Sequence, residues 1–336
     1  MIPDAWAQAT KDAGMTYVVV TTKHHDGFCR GTRSSPTTKH PTHRGAKDVL
    51  RPMVDAFRAQ DFKVGFYHSL IDWHHPAFPI DGLHPMRDDV AFREAQQGRR
   101  DIRQYADYLH GQTRELLTQF GLIDILWFDF SYSQRDWGWS KGKGKDDWQS
   151  DKLMAMVREL QPRIIVNDRL EIGGDIKTPE QYQPRGWMEV DGQRVVWEAC
   201  QAFSGSWGYD RDNLDWKPVD LLVRMLVDTV SKGGNLLLNV GPNAQGALDP
   251  RALERLRGLG EWLRLHKRSI YGCSASDLTP PPDCRFTQNG DHLYLHLFAW
   301  PFRHVHLDNL AGRVEYGQLL NDASMMDPDL AATLRA

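Results

Sequence analysis

The sequence lacks the features that mark several large classes of protein. Its four cysteines are widely spaced with no CxxC pair, which argues against a cysteine metal framework or a disulfide scaffold. No apolar run approaches the ~20 residues of a membrane span, and no basic, apolar leader opens the chain. The net charge of −3 favours neither nucleic acid nor an anionic membrane as a partner. The cellular compartment stays open. Free thiols are expected at Cys29, Cys200, Cys273 and Cys284, with a Cys273–Cys284 disulfide as the alternative.

A glycine-rich phosphate loop is also missing. GxGxxG does not occur, and GKGKD at 142–146 is expected to be a charged surface loop, which argues against nucleotide binding. What the chain does have is 12 tryptophans and 14 histidines. Tryptophan at that level suits either sugar binding, because pyranose faces stack on rings, or an aromatic-rich core.

Strand and helix patterns alternate along most of the chain. Apolar runs at 17–25, 63–70, 124–130, 163–169, 194–200 and 235–242 predict strands, and all but the second and fifth are continuous enough to indicate burial on both faces. Helical spacing occurs at 48–60, 100–120, 151–161 and 218–231. The order predicts an α/β domain of βαβ units, either a doubly wound sheet or a (β/α)8 barrel.

Polar residues at the ends of several strands favour the barrel, because barrel enzymes keep their active sites there. After a Pro-rich break, CRFTQNGDHLYLHLFAW predicts a hairpin with its turn at 288–291. We therefore predict a barrel domain over 1–272 and a small β domain over 273–336.

DILWFDF at 124–130 ends in a carboxylate flanked by aromatics. Strand alternation places Trp127 and Asp129 on one face, which suggests a ring platform beneath a nucleophile. The same alternation puts Asn167 and Arg169 on one face, so that Arg169 can hold Asp129 ionised. A purely structural Asp–Arg pair is the alternative.

Histidines cluster near two strand ends. His24 and His25 are adjacent, so they can share a ligand only at a bulge or a strand end. His68, His74 and His75 follow the second strand. The cluster raises the hypothesis of a metal-dependent hydrolase, but the spacing matches no standard metal motif. The pair His74–His75 is better explained as loop structure or as part of the rim of the barrel mouth.

Two glutamates are candidates for a general acid. Glu180 lies in the Pro-containing loop IKTPEQY, and Glu198 lies at another predicted strand end. The residues alone do not decide between these roles and ordinary solvated or structural carboxylates.

The motifs KHHDGF, YHSLIDWHHP, LWFDF, NDR, KTPE, WE, SWGY and VSKGGNLLLNVGP occur in an order that closely resembles glycoside hydrolase family 29, the retaining α-L-fucosidases. The resemblance runs from about residue 5 to 271. It implies a (β/α)8-like barrel followed by a β-sandwich, action on terminal fucose of glycans, and no metal or organic cofactor.

The resemblance also implies residue roles. Asp129 is the expected nucleophile, and Glu180 the expected acid/base, partly buried and protonated at the start, with Glu198 as the alternative. The implied sugar-binding residues are His24, His25, Tyr67, Trp127, Arg169 and Trp207.

Two departures from the family pattern stand out. The first barrel strand with its HWG motif is not found, so we expect a barrel lacking that strand, and the C-terminal sandwich is expected to be partial. A truncated or non-catalytic fucose-binding relative is therefore an alternative to an active fucosidase, alongside the metal-dependent hydrolase.

Overall fold

The computed structural model describes residues 3–29, 48–300, 304–310 and 312–325. The chain divides into two compact units. The first contains Pro3–Ala7 and Met15–Ile176, and the second contains Gln8–Gly14 and the chain from Lys177 onward. The predicted domain boundary at 272/273 stays a prediction.

The first unit is built on a parallel four-stranded sheet in the order β1-β2-β3-β4. Its strands are β1 (Tyr17–Lys23), β2 (Lys63–Ser69), β3 (Ile125–Asp129) and β4 (Ile165–Val166). Its helices are α2 (Leu50–Ala59), α3 (Val90–Gln96), α4 (Ile102–Gln119), α5 (Lys145–Trp148) and α6 (Ser150–Leu160), while α1 (Pro3–Asp12) is divided between the two units. Helices α2, α4 and α6 each connect one parallel strand to the next, as the βαβ prediction requires.

Helix α4 shows why these segments are helical. Asp101 caps its N-terminus by accepting a hydrogen bond from the Arg103 amide at 2.8 Å. Its apolar residues recur every three or four positions and bury one face. That face joins the core beneath the sheet, where Leu109, Phe66 and Phe128 are fully buried.

The second unit contains a parallel pair, β7 (Trp197–Ala202) and β8 (Gly234–Asn239), connected through α7 (Val219–Val230). Helix α8 (Pro250–His266) and a short 3₁₀ turn (Lys267–Ser269) follow. The predicted hairpin is confirmed as β9 (Cys284–Asn289) paired antiparallel with β10 (His292–Leu297). Arg285 on β9 pairs with Asp228 of α7 at 2.7 Å, which ties the hairpin to the helices before it.

Three strand predictions need correction. The strand predicted at 163–169 is only Ile165–Val166, because the side chain of Asn167 replaces the next backbone pairing. The strand predicted at 194–200 begins at Trp197, and Arg194 belongs to a separate hairpin of β5 (Glu189–Val190) and β6 (Gln193–Arg194). Burial on both faces holds for β3 but fails for β4, where Ile165 is exposed. It also fails for most of β8 and for the first half of β1, which are only half-buried.

All four cysteines are free thiols, as expected. Among the residues that the structure describes, no helix combines the length and apolarity needed to cross a bilayer.

Candidate active site

The candidate nucleophile lies at the carboxyl end of the parallel sheet. Asp129 is the last residue of β3, and its backbone is level with Ser69, the last residue of β2. Its side chain is 13 % exposed, so solvent reaches the carboxylate without surrounding it. Because the preceding residues of β3 are buried, this strand end fixes the position of a reactive group.

Three side chains surround the Asp129 carboxylate. The phenol of Tyr67 donates a 2.5 Å hydrogen bond to Oδ2. Arg169 places Nη1 3.6 Å from Oδ1, and His25 places Nε2 3.8 Å from Oδ2. A hydroxyl donor and a guanidinium both favour the charged form of a carboxylate. The arrangement therefore suits an ionised nucleophile.

Four of the predicted sugar-binding side chains form one stack. The rings of His24 and Tyr67 are stacked at 5.6 Å, and those of Tyr67 and Trp127 at 5.8 Å. The guanidinium of Arg169 lies 5.1 Å from the Trp127 ring centre, as a cation–π contact. The pairing of Tyr67 with Trp127 across β2 and β3 sets this geometry. A row of flat faces beside a carboxylate is suited to hold a sugar ring.

The tandem histidines meet at this site because β1 is irregular there. The β1–β2 register shifts between Thr21 and Lys23, and the strand ends at Lys23, which confirms the predicted bulge or strand end. The chain then turns back, with the Gly27 amide bonded to the His24 carbonyl at 3.0 Å. Gly27 has φ +78°, and an added Cβ would lie 2.2 Å from Asp72 Oδ1. Only glycine fits this turn.

His25 is held as a neutral ring among aromatics. The rings of Trp73 and Phe130 meet it edge-on at 5.4 and 5.1 Å, and the Trp73 amide donates to its carbonyl at 2.9 Å. Burial, followed by the neighbouring charges of His24 and Lys23, lowers the pKa of His25 from 6.5 to about 3. The contact with Asp129 is therefore not an ion pair near neutral pH.

The two candidate acids lie side by side in the second unit. The chain around Lys177–Gln181 is not a free loop but runs parallel to β7, with bridges Lys177–Trp197 and Glu180–Cys200. Glu198 and Cys200 lie on the same face of β7, because side chains alternate along a strand. Glu180 pairs with Cys200, so Glu180 lies on the face that carries Glu198, two residues further along β7. Glu198 is 3 % exposed. Glu180 is exposed, so its expected partial burial is wrong.

Trp207, the remaining predicted sugar-binding residue, belongs to the second unit. It lies half-buried in the loop after β7. The side-chain amide of Asn239, the last residue of β8, donates to the Trp207 carbonyl at 2.7 Å. Gly241 approaches the same loop so closely that an added Cβ would lie 2.6 Å from the Tyr209 nitrogen. The end of β8 therefore holds the Trp207 loop in place.

The supporting roles of Asn167 and Phe130 were missed by the sequence reasoning. Asn167 accepts from the Phe128 amide at 3.0 Å and donates to the Phe128 carbonyl at 2.8 Å. The prediction that Asn167 and Arg169 share a strand face is wrong, because β4 ends at Val166. Phe130 takes the left-handed conformation, with φ +81°, which is strained for an aromatic residue. Of these features, only the polar character of Asn167 leaves a signal in the sequence.

The other histidines have separate partners. His68 is buried on the opposite face of β2, where its Nδ1 lies 2.8 Å from Thr22 Oγ1. His75 accepts from the Ala77 amide at 3.2 Å and packs on Tyr108, which confirms a structural role in the loop. No group of three metal-ligand side chains occurs in the described ranges.

Comparison with known proteins gives one consistent family. A family profile described as Alpha-L-fucosidase matches residues 2–268. Tissue alpha-L-fucosidase of Bos taurus is 29% identical over 320 residues, which cover 89% of this chain and 61% of that protein.

The solved structures that this chain resembles are also α-L-fucosidases. Alpha-L-fucosidase isoenzyme 1 from Paenibacillus thiaminolyticus is 42% identical with a TM-score of 0.89, covering 97% of this chain and 78% of that one. The alpha-fucosidase of Thermotoga maritima is 32% identical with a TM-score of 0.68, covering 87% and 64%. This chain spans 55% to 61% of the length of the first curated relatives that it matches. With a profile match over most of its residues, the chain belongs to the α-L-fucosidase family, glycoside hydrolase family 29.

Proposed function

We propose that this chain is a retaining exo-α-L-fucosidase that releases terminal α-L-fucose from fucosylated glycans. The observation that carries the proposal is the environment of Asp129: a strand-end carboxylate bonded by Tyr67 and faced by Arg169. Family membership supports fucose as the sugar. The proposed architecture is a (β/α)8-like barrel over 1–272 followed by a small β domain over 273–336.

The first step would form a covalent intermediate. An Asp129 carboxylate oxygen attacks the anomeric carbon while the bond from that carbon to the leaving oxygen breaks. The acid gives its proton to the leaving oxygen, so the aglycone departs as a neutral alcohol. The stack of His24, Tyr67 and Trp127 is proposed to hold the sugar ring against the nucleophile.

The second step would release fucose. The same glutamate, now ionised, takes a proton from water as that water attacks the anomeric carbon. The bond to Asp129 breaks, and its carboxylate returns to the hydrogen bond with Tyr67. Two displacements at one carbon give overall retention of configuration. No step requires a metal or organic cofactor.

Glu180 is proposed as the acid/base, with Glu198 as the alternative. The family pattern KTPE supports Glu180. The pairing of residues 177–181 with β7 adds support, because Glu180 is level with Cys200, two residues closer to the carboxyl end of β7 than Glu198. Trp207 and His25 complete the proposed sugar-binding set.

The first test is turnover of an aryl α-L-fucoside by the chain and by Asp129→Ala. We expect release of the phenol by the chain and loss of at least ~10³-fold in the variant. Equal turnover by both proteins would contradict the role of Asp129. Fucose binding without turnover in the unmodified chain would instead support a non-catalytic relative.

A second test separates the two glutamates. An acid/base variant should be rescued by azide to give the fucosyl azide of retained configuration, whereas a nucleophile variant should give the inverted azide. We expect retained azide from Glu180→Ala and no azide product from Glu198→Ala. The reverse result would move the role to Glu198.

A further inference from the structure

We propose that Ser69 is a positioning residue, which holds His25 in the Nδ1–H tautomer and so makes Nε2 an acceptor for a hydroxyl of the bound sugar. This inference rests on the proposed function, because the sugar supplies the hydroxyl. Its test has a readout that does not need turnover.

The geometry centres on one buried hydroxyl. Ser69 is the last residue of β2 and is fully buried. Its Oγ lies 2.6 Å from Nδ1 of His25. The same Oγ lies 2.8 Å from the Ile71 carbonyl oxygen and 3.0 Å from the Ile71 amide nitrogen. Three polar groups thus lie within hydrogen-bond distance of one serine hydroxyl.

The hydrogen-bonding capacity of a hydroxyl assigns the protons. A serine has one proton to donate and two lone pairs to accept with. The Ile71 amide can only donate, so it occupies one lone pair. Ile71 is also fully buried, and across the described residues no other group donates to its carbonyl. The Ser69 proton therefore goes to that carbonyl, since a buried acceptor left without a partner is costly.

The remaining lone pair of Ser69 decides the state of His25. It can only accept, so Nδ1 of His25 must carry a proton. The lowered pKa of about 3 leaves the ring neutral, with a single ring proton. Nε2 is then unprotonated, and its lone pair faces the region beside Asp129.

The position of Nε2 selects the kind of ligand. It lies 3.8 Å from Asp129 Oδ2, beyond hydrogen-bond range. Trp73 and Phe130 meet the edges of the ring and oppose its rotation. A sugar hydroxyl can donate to Nε2, whereas a deoxy or O-methyl position cannot. The pair Ser69–His25 would thus select for a free hydroxyl beside the anomeric centre.

The direct test is nitrogen-15 NMR of protein labelled at histidine. Long-range proton–nitrogen correlations distinguish the two neutral tautomers, and the signals of His25 are identified by their loss in His25→Gln. We expect the Nδ1–H pattern in the unmodified protein at pH 7 and a shift toward Nε2–H in Ser69→Ala. An Nε2–H pattern in the unmodified protein, or no shift in the variant, would overturn the proposal.

Kinetics gives a second readout. Aryl fucosides lacking one hydroxyl at a time are compared in both proteins. For one deoxy substrate, kcat/KM with the unmodified enzyme is expected to be about tenfold lower than for the parent fucoside. With Ser69→Ala, kcat/KM is expected to be almost the same for the deoxy and the parent substrate. The matched control is Thr22→Val, which removes another buried hydroxyl bonded to a histidine, His68. It should leave the substrate pattern unchanged, and equal coupling in both variants would contradict a specific role for Ser69.

The two proposals fail separately. If the Nδ1–H pattern is present and no fucoside is turned over, the proposed function fails and the tautomer assignment stands. If fucosides are turned over and His25 carries its proton on Nε2, the opposite holds. Ser69→Thr, which keeps the hydroxyl, serves if Ser69→Ala does not fold, and it should retain the Nδ1–H pattern.

Discussion

Tyr67 and Asp129 lie on adjacent parallel strands and are joined by a 2.5 Å hydrogen bond from the phenol to the carboxylate. The bond joins the stack of rings to the proposed reacting group. It also orients the carboxylate, since Asp129 Oδ1 is left facing Arg169.

Replacing Tyr67 by phenylalanine should lower activity more than stability. The ring remains between His24 and Trp127, but the charge-assisted hydrogen bond, worth roughly 1.5–3 kcal/mol, is lost. We expect kcat/KM to fall by about 10- to 100-fold with little change in the denaturant midpoint. The matched control is Tyr132→Phe, which breaks a 2.6 Å bond to the buried Asp81. That variant should lose stability instead, and an equal loss of activity in both would contradict a special role for Tyr67.

Replacing Asn167 by alanine should destabilise the first unit. The side chain makes two buried hydrogen bonds to Phe128, so we expect a loss of about 2–3 kcal/mol in the free energy of unfolding. Urea titration measures it. Asn213→Ala is the control, because Asn213 also makes two bonds to backbone but in a half-exposed loop. A loss no greater than that of the control would show that the Asn167 bonds contribute little.

Replacing Gly27 by alanine should disrupt the turn that carries the histidines. The left-handed conformation alone costs a non-glycine residue about 1 kcal/mol, and the new Cβ would also collide with Asp72. Gly98 has φ +73° with nothing within 4 Å of an added Cβ, so Gly98→Ala measures the conformational cost alone. We expect Gly27→Ala to lose at least ~1 kcal/mol more. Equal losses would mean that Asp72 moves aside freely.

The lowered pKa of His25 predicts a loss of stability in acid. The folded ring resists protonation down to a pKa of about 3, whereas the unfolded ring takes a proton near 6.5. The unfolded state therefore binds more protons between these values, and the contribution is fully present above pH 6.5 and is lost as pH falls. In that window, His25 adds a slope of up to about 1.4 kcal/mol per pH unit.

The measurement is urea unfolding of the chain and of His25→Gln between pH 6.5 and 4. The free energy of unfolding of the variant should depend less steeply on pH. The two slopes should coincide at pH 7.5 to 8, where His25 is neutral in both the folded and the unfolded state. Parallel curves throughout the acid range would show that His25 is protonated equally in both states.

The sequence predicted the parts of this fold that depend on regular patterns. Continuous apolar runs located β1, β3 and β8, a less continuous apolar run located β2, and periodic spacing located α4 and α7. The polar strand ends also drew attention to Asp129. What could not be predicted depends on single contacts. Asn167 ends β4 by bonding Phe128, and residues 177–181 pair with β7 although they consist of four polar residues and a proline, with no apolar pattern.

The site shows the same division. Motif order assigned Asp129, Tyr67 and Arg169, and the structure brings these three together. The supporting geometry had no signal, because a left-handed Phe130 and a hydroxyl shared between Ser69, Ile71 and His25 depend on tertiary contacts that no local pattern encodes.

The stack of His24, Tyr67, Trp127 and Arg169 takes one side chain from each of four successive strands or from the residues just beyond them. Side chains alternate along a strand, so a slip of one residue in β2 would replace Tyr67 with His68 or Phe66 at this face. Any such slip would abolish the alignment while leaving the backbone hydrogen bonding of the sheet largely satisfied. If the chain has the proposed activity, that activity reports strand register, and its recovery on refolding would distinguish correctly aligned sheets from misaligned ones of equal strand content.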